Sequence, residues 1–548
     1  MARATWHLEE MADEYLSKGY WTGETTVELW NRNAELCGDK EALVDSRNRL
    51  TWRQAKEQSD SLALSLLDMG FQRDELVYIL LPNCIESYLI RLACEKAGIL
   101  CLTSLMGLRE SEIEYILKNF GVAGLVIIPH FRNFNYLQVI RGMRSRLPEL
   151  RHVFSIGEIT SADTVSIDEI AQRPAAQLHR LDKKGFKPDE VAIAALTSGT
   201  TGIPKVAEHV VAARIALGDS YHRRVQLTSD DIILNVISAV AGLGAPVCYS
   251  SVREAAKTIA LEIWNATQAL KLIEEERATV MLCAPAQVAM LVQDPDFDKY
   301  DTSSLRAVFC GTSPLTREIA TAAEDKLKVP VLNAYGSFDG GGISTTGVDD
   351  DKETRWLTAG KPHWGNQVKI VGSNGKEAAP GEEGELRFKG PCSCGGYYKD
   401  IERTKEMWGT LGKEGWFSTG DVAKLDKNNN IILTGRQKEV IIRGGQNIYP
   451  AEIEGLLFLY PKIKHVAVVP MPDPIMGEKA CAFVVPKEGE EFTFEEMLSY
   501  LKGKKIAPYK LPERLEIKSS LPLRDSQKVV KSELREEVTR KLKAEGKI

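Results

Sequence analysis

Several features are scarce or missing in this sequence of 548 residues. Acidic residues outnumber basic ones by 76 to 70, for a formal net charge of -6. There is therefore no basic surplus of the kind that a nucleic-acid-binding surface needs. The ten cysteines form no Cys-x-x-Cys pair, and the two-residue spacing of Cys392 and Cys394 has no counterpart elsewhere, so a zinc site is not expected. We expect reduced thiols in a cytoplasmic protein.

The sequence also lacks a segment typical of export or of membrane insertion. Its first fifteen residues carry four acidic side chains and no apolar core, which is unlike a signal peptide. Residues 232–252 contain no charged side chain and are long enough to span a bilayer. Because Asn235, Gly242, Gly244 and Pro246 interrupt this stretch, we expect a buried strand, loop and helix and no transmembrane segment.

The length and the pattern of apolar runs indicate the fold class. A chain of this size exceeds what one hydrophobic core usually serves, so two or more domains are expected. Apolar strand-like runs at 75–81 and 100–102 flank an amphipathic helix at 85–97. This alternation predicts parallel β-α-β units in an α/β fold. From Gly381 onward the patterns become rich in strands bounded by glycine, which predicts a β-rich subdomain.

A loop rich in glycine and hydroxyl groups follows the apolar run at 191–195 and ends at Lys205. Glycines let an anion approach backbone N–H groups closely, and a lysine adds a mobile positive charge. The composition suits a polyphosphate. The Walker P-loop is excluded, because it needs glycine before the lysine and Ser or Thr after it, where this chain has Pro204 and Val206. For the loop by itself, a plain surface turn remains the alternative.

The string from Thr197 to Lys205 resembles the phosphate loop of the adenylate-forming superfamily, which includes acyl- and aryl-CoA synthetases, carrier-protein adenylation domains and luciferases. It matches the pattern T-S-G-T-T-G-x-P-K at every fixed position. Six further segments resemble the family's other motifs in the same order, and they lie at 310–315, 333–339, 416–421, 435–439, 440–454 and 521–528. The resemblance therefore covers nearly the whole chain.

The resemblance implies a set of functional residues. It assigns ATP binding to Thr197, Ser198, Gly199, Thr200, Thr201, Gly202, Lys205, Gly311, Thr312, Ser313, Asn333, Ala334, Tyr335, Gly336, Asp421, Arg436 and Lys528. Lys528 and Lys205 are the expected catalytic residues, and Asp339, in place of the family's glutamate, is the expected Mg²⁺ ligand. Asp421 is expected to accept hydrogen bonds from the ribose hydroxyls.

The acyl pocket is expected to be apolar. The resemblance places it at Ala239, Val240, Ala241, Gly242, Leu243, Gly311, Ser337 and Phe338. Apolar side chains cannot form a hydrogen bond with a hydroxyl group of the substrate. An apolar aromatic or alicyclic acid is therefore expected, in keeping with a short resemblance of Gly19 to Gly23 to the aryl-acid branch. Where the family has threonine, Phe338 cannot donate to phosphate through its side chain, so we expect a backbone N–H to do so while Phe338 walls the pocket.

The domain organisation follows from the same resemblance. A large domain is expected over residues 1–435, a hinge over 436–438 with Lys438 as its pivot, and a small, mobile α+β domain over 439–548. Lys438, Arg443, Gly444 and Gly445 are the expected CoA-binding residues.

The implied activity is an ATP-dependent ligation of a carboxylic acid to CoA, with release of AMP and pyrophosphate. One alternative is a ligase that loads a separate carrier protein. Another is a non-catalytic nucleotide-binding homologue, which the departures at Phe338, Ala241 and Gln527 motivate. Both a monomer and a homodimer remain open.

Overall fold

The computed structural model describes residues 3–7, 9–157, 163–197, 205–239, 243–444, 446–504, 506–523 and 529–548. Its two largest sheets are mainly parallel and are surrounded by helices, as the alternating pattern predicts. An antiparallel sheet and a small α+β unit follow in the chain, so the expected fold class is confirmed.

The nine-stranded sheet contains, from edge to edge, Lys361–Pro362, Gly341–Thr345, Val331–Ser337, Ala307–Cys310, Val280–Cys283, Ile232–Asn235, Lys257–Ala260, Glu41–Val44 and Arg49–Thr51. The seven-stranded sheet contains Lys205–Val210, Val191–Thr197, Leu100–Thr103, Leu76–Leu80, Val122–Ile127, His152–Ser155 and Val165–Ser166. The β-rich subdomain contains Gln367–Val371, Gly384–Lys389, Phe417–Leu425 and Ile431–Arg436. The last sheet contains Gln446–Ile448, Ile441–Arg443, Gly477–Pro486, Ile463–Asp473 and Arg514–Ile517. A separate short hairpin pairs His130–Phe131 with Phe134–Asn135.

The α-helices of the described residues are Glu9–Ser17, Thr26–Leu36, Trp52–Asp68, Ile85–Ala97, Glu110–Asn119, Tyr136–Met143, Ile167–Ala171, Val211–Val225, Gly244–Arg253, Ala266–Glu276, Pro285–Val292, Arg317–Leu327, Lys352–Leu357, Ile401–Trp408, Pro450–Phe458, Phe494–Gly503 and Lys531–Ala544.

Local sequence signals account for several of these boundaries. Thr51 caps its helix through a reciprocal capping box with Gln54. Gly98 ends the helix Ile85–Ala97 in the left-handed conformation, at φ 73°. Pro450 occupies the first turn of its helix, where no backbone N–H is needed. Each of these residue types favours the helix boundary at which it lies.

The segment after the glycine-rich loop differs from the expectation. The sequence predicts a helix over 210–218, but a strand, Lys205–Val210, comes first and the helix runs from Val211 to Val225. This strand pairs antiparallel with Val191–Thr197, and Thr197 lies opposite Lys205. The glycine-rich loop thus closes a hairpin, unlike the strand-to-helix turn of a Walker P-loop.

The uncharged stretch 232–252 has the expected form. It contains the strand Ile232–Asn235 and the helix Gly244–Arg253, and the strand lies inside the nine-stranded sheet. Among the residues that the structure describes, no helix has both the length and the apolar character needed to cross a membrane.

Candidate active site

Three of the expected ATP-binding residues lie together at the end of the nine-stranded sheet. The Tyr335 hydroxyl, on the strand Val331–Ser337, donates to Asp421 Oδ2 over 2.6 Å. The other carboxylate oxygen, Oδ1, lies 2.9 Å from Arg436 Nε. Asp421 and Arg436 belong to neighbouring strands and are opposite each other in register. The tertiary fold therefore brings together side chains that are 101 positions apart in sequence, from 335 to 436.

Burial sets the electrostatics of this cluster. Asp421 is 7% exposed and Tyr335 is 9% exposed. Burial raises the pKa of the Asp421 carboxyl, while the Arg436 charge and the hydrogen bonds from Tyr335 and Arg436 oppose that rise. Burial, with the nearby Asp421 charge, raises the pKa of Tyr335 well above its usual range. The phenol therefore remains a donor, and the carboxylate remains an acceptor for further hydroxyl groups.

A second cluster joins the end of the glycine-rich loop to the expected Mg²⁺ ligand. The Tyr397 hydroxyl donates to Asp339 Oδ2 over 2.7 Å. Lys205 Nζ lies 3.4 Å from the same hydroxyl and 5.1 Å from the centre of the Tyr397 ring. A cation and a carboxylate thus approach one phenol from two sides, an arrangement that suits phosphate oxygens and a hard metal ion.

The glycine-rich loop itself lies largely outside the described residues. This applies to Ser198, Gly199, Thr200, Thr201 and Gly202, and also to Val240, Ala241, Gly242, Gly445 and Lys528. At the loop's first described residue, Thr197 Oγ1 is buried and has no hydrogen-bond partner within the described part of the chain. A buried hydroxyl of this kind is expected to gain a partner when a ligand binds.

The expected adenine turn, residues 311–313, is tightly packed. A side chain at Gly311 would come within 2.7 Å of Leu243 Cδ2. Thr312 has φ +77°, a left-handed conformation that is unfavourable for a β-branched residue. Ser313 is exposed. The backbone of this turn is therefore strained at Thr312.

The strand Val331–Ser337 carries three further expected ATP-binding residues, Asn333, Ala334 and Gly336. Asn333 donates through Nδ2 to the Thr358 carbonyl over 3.0 Å, which is a structural contact. Ala334 is buried. At Gly336 a side chain would come within 2.6 Å of the Gly341 carbonyl oxygen, so only glycine fits.

Among the expected acyl-pocket residues that the structure describes, Ala239 and Leu243 form one group in the sequence, and Ser337 and Phe338 form another. Ala239 and Leu243 are buried, and Leu243 is the residue that crowds Gly311. Ser337 accepts a hydrogen bond from the Gly340 N–H over 2.8 Å. The half-buried Phe338 ring lies 5.2 Å from the His209 ring, centre to centre.

The residues expected to bind CoA lie on the small C-terminal unit and before it. Lys438 is exposed. Arg443 Nε donates to Glu513 Oε1 over 2.7 Å. Gly444 is in the left-handed conformation, at φ 55°, which glycine adopts without a steric cost.

Sequence reasoning missed several polar residues at this end of the molecule. Tyr397 links Lys205 and Asp339, yet it lies 192 positions from Lys205. His209 and Arg214 are buried, and Arg214 Nη2 lies 2.8 Å from His209 Nε2. Arg91 is also buried and donates to the Ala239 carbonyl over 3.2 Å. A single arginine in a helical pattern carries no sequence signal of burial, because arginine is usually exposed.

Comparisons with known proteins establish the family of the chain. The family model described as AMP-binding enzyme matches residues 30–398, and the model described as AMP-binding enzyme C-terminal domain matches residues 452–528. The chain is 28% identical over 543 residues to the medium-chain fatty-acid–CoA ligase of Escherichia coli (strain K12), covering 97% of this chain and 94% of that protein. It is also 28% identical over 544 residues to a salicylyl-CoA synthase / salicylate adenylyltransferase of Streptomyces sp, covering 97% and 96%.

Solved structures support the fold. The crystal structure of the anthranilate CoA ligase AuaEII in complex with anthranoyl-AMP aligns with a TM-score of 0.85 and 22% identity, covering 95% of this chain and 98% of that one. The first family model spans more than half of the chain, and the second covers most of the small C-terminal unit. The chain therefore belongs to the AMP-binding enzyme family and is, by class, an AMP-forming acyl-CoA ligase that uses ATP and CoA as co-substrates and Mg²⁺ as cofactor.

Proposed function

We propose that this ligase activates a compact aromatic or alicyclic carboxylic acid and transfers its acyl group to CoA. In the first half-reaction the acid attacks the α-phosphorus of ATP, giving an acyl-adenylate and pyrophosphate. In the second, the CoA thiol attacks the acyl carbon and AMP leaves. Positioning and charge neutralisation supply most of the catalysis in transfers of this type.

The observation that carries the proposal is the meeting of Lys205, Tyr397 and Asp339. Lys205 ends the loop that we propose holds the β- and γ-phosphates. Asp339 follows directly on the strand whose Tyr335 contacts Asp421. The proposed metal-binding carboxylate thus lies four positions after Tyr335, which donates to the proposed ribose ligand Asp421.

The donor set at Asp339 fits Mg²⁺. This ion prefers oxygen ligands and is usually held by one or two carboxylates together with substrate phosphates. No group of three or more His, Cys, Asp or Glu side chains that could hold a metal occurs among the described residues, so a cage made by protein alone is not present there. When bound, Mg²⁺ would neutralise phosphate charge. Tyr397 holds the Asp339 carboxylate in place through its hydroxyl.

The two ends of the nucleotide have different proposed partners. Asp421 would accept hydrogen bonds from the ribose hydroxyls, and Arg436 would hold ribose or phosphate. We propose that Lys528 bridges the acid's carboxylate and the α-phosphate. Because the acyl-adenylate is sensitive to water, the site has to close around it.

The walls of the proposed acyl pocket favour a flat or compact ring. Ala239 and Gly311 contribute little or no side chain, Leu243 is buried beside Gly311, and Phe338 offers an aromatic face. Small side chains together with an aromatic ring are a lining that suits a ring-shaped acid.

CoA would reach this pocket through the small domain. We propose domains at 1–435 and 439–548, joined by a hinge at 436–438 with Lys438 as its pivot. The left-handed Gly444 and the adjoining Arg443 would line the path of the pantetheine arm. We place the reaction in the cytoplasm, which fits the nine cysteines that are free thiols in the described residues.

The test is acid-dependent exchange of labelled pyrophosphate into ATP, followed by a thioester assay with CoA. The acids would be benzoate, hydroxybenzoates, cyclohexane carboxylates and short to medium fatty acids. Exchange and thioester formation with a ring acid would support the proposal. Exchange without thioester would favour a carrier-protein thiol instead, and no exchange with any acid would favour the non-catalytic alternative.

A further inference from the structure

Arg214 is a buried guanidinium without a carboxylate partner in the described residues. It lies on the helix Val211–Val225 and is 6% exposed. Its one hydrogen bond in the described part of the chain joins Nη2 to His209 Nε2 over 2.8 Å, and its buried Nε has no partner there. Buried arginines are usually paired, since an unpaired charge is strongly destabilised in a protein interior.

His209 cannot supply the missing negative charge. A guanidinium only donates, so His209 Nε2 accepts, and the ring is neutral with its proton on Nδ1. Nδ1 lies 3.3 Å from Cys394 Sγ, and that thiol lies 3.5 Å from the Phe338 carbonyl oxygen. Burial, together with the Arg214 charge, lowers the pKa of His209 well below its usual range. The contacts therefore link Arg214 to the Phe338 wall of the pocket through neutral groups.

A second buried cation contacts another residue of the proposed pocket. Arg91 is 2% exposed and donates to the carbonyl of Ala239, and its guanidinium carbon lies 5.3 Å from the centre of the Tyr249 ring. The carboxylate near it is that of Glu95, at 3.8 Å.

The charge around Arg214 is therefore positive. Burial is the main cause that lowers the pKa of Arg214, and the Arg91 charge lowers it further. The other groups near it are the thiol of Cys394 and the phenols of Tyr221 and Tyr249. Burial also raises the pKa of the Glu95 carboxyl, and the Arg91 charge opposes that rise.

These contacts connect Arg214 through His209 to Phe338, and they connect Arg91 to Ala239, so both buried cations adjoin residues of the proposed acyl pocket. We propose that this pocket recognises a carboxylic acid carrying a second anionic group, with a second carboxylate as the best match, and that Arg214 is its cationic partner. The inference rests on the proposed function, since it concerns the acid that the ligase activates. The apolar walls hold the body of the acid, and the buried cation selects its far end.

The first test compares matched acids with the wild-type enzyme. Rates of pyrophosphate exchange and of CoA thioester formation are measured for benzoate against benzene-1,3- and 1,4-dicarboxylate, and for hexanoate against adipate. Because a site built around a buried polar partner discriminates strongly against ligands that lack the matching group, kcat/KM should favour a dicarboxylate by roughly 100-fold or more. A preference for the monocarboxylate in both series would overturn the inference.

The second test replaces the cation. Arg214→Met keeps the length of the side chain and removes its charge, so kcat/KM for the preferred dicarboxylate should fall roughly 100-fold while benzoate is used as well as before or better. Arg214→Lys should retain part of the preference. The control is Arg223→Met, an exposed arginine on the same helix, which should leave the preference unchanged.

The outcomes separate this inference from the proposed function. Exchange with monocarboxylates alone would overturn the inference and leave the CoA ligase intact. No exchange with any acid would overturn the proposed function itself. Equal losses for both classes of acid in Arg214→Met would show a structural role for Arg214, and if that variant fails to fold, the wild-type comparison decides.

Discussion

Asp421 is the residue on which the ribose end of the proposed site depends. Its carboxylate is buried between the Tyr335 hydroxyl and Arg436, and both of its oxygens have a protein donor. A carboxylate offers further lone pairs to ribose hydroxyls, whereas an amide of the same shape offers one oxygen and two donors.

Asp421→Asn should therefore weaken ATP binding. A hydrogen bond to a charged group contributes about 1.5–3 kcal/mol, so the dissociation constant should rise by roughly 10- to 100-fold. Isothermal titration with ATP and Mg²⁺ measures it. The exposed Asp230 supplies the matched control, Asp230→Asn. An unchanged affinity in Asp421→Asn would refute the assignment of Asp421 to the nucleotide.

Lys528 carries a separate prediction, because its assignment rests on sequence resemblance and it lies outside the described residues. If it bridges the carboxylate and the α-phosphate, Lys528→Ala should abolish formation of the acyl-adenylate. Thioester formation from supplied acyl-adenylate should be largely retained, since the second half-reaction does not involve that bridge. Lys543→Ala, in the exposed part of the C-terminal helix, is the control. Equal loss of both half-reactions would contradict the assigned role.

Single residues also differ in how far sequence could identify them. Asp421 belongs to the contiguous motif at 416–421, so the sequence alone identified it as a candidate site residue. Tyr397 and Arg214 belong to no such motif. Their roles arise from distances of 2.7 Å to Asp339 and 2.8 Å to His209, which depend on how separate elements pack.

The strand Lys205–Val210 connects the proposed active site to the N-terminal segment. The backbone N–H and hydroxyl of Thr5 donate to Glu208 over 2.6 and 2.9 Å, and Glu208 is 3% exposed. The same strand starts at Lys205 and contains His209. The stability of this strand therefore affects both the position of Lys205 and the contact between His209 and Arg214.

This element should show a distinctive dependence on pH. Burial raises the pKa of Glu208 from 4.5 to about 7, so the folded protein binds this proton more tightly than the unfolded chain does. The stabilising contribution is complete below about pH 4.5 and is lost as the pH rises through about 7. It amounts to at most about 3.5 kcal/mol, because a pKa difference of about 2.5 corresponds to about 1.4 kcal/mol for each pKa unit.

Glu208→Gln removes this titration. Between pH 5 and pH 8, the apparent unfolding temperature of the variant should fall less than that of the wild type. Scanning calorimetry at both values measures the difference, and Glu488→Gln, at an exposed position, should behave like the wild type. An identical pH dependence in wild type and Glu208→Gln would rule out Glu208 as its source.

At the scale of the whole molecule, the small C-terminal unit meets the large one through a few contacts. Gly455 packs so closely on Thr316 that a side chain would not fit. The Tyr449 hydroxyl donates to Glu383 over 2.7 Å. Lys531 pairs with both Glu439 and Glu454 at 2.9 Å, which ties the start of the last helix to the segment after the proposed hinge within the small unit. The contacts that cross the boundary would rearrange if one domain rotated against the other.

The proposed rotation can be tested at Lys438. Proline fixes φ and restricts the residue before it, so Lys438→Pro should hold the hinge in one arrangement. One half-reaction should then fall by about 100-fold or more while the other remains within a few-fold of wild type, because limiting domain motion affects steps selectively. Lys438→Ala keeps φ free and should retain both. Rates are measured separately for adenylate formation and for thioester formation from supplied adenylate. Similar rates in the two variants would contradict a pivot at Lys438.

The amino-acid sequence by itself determined the fold class, the order of the motifs and the residues that lie within them. These are local properties: apolar periodicity fixes strands and helices, and contiguous strings fix loops such as 197–205 and turns such as 311–313. Only the tertiary structure decided that the glycine-rich loop closes a hairpin, that Tyr397 joins Lys205 to Asp339, and that Arg91 and Arg214 are buried. The reason is that the burial and pairing of a charged side chain depend on elements distant in sequence. The residues next to that side chain in the sequence do not indicate either property.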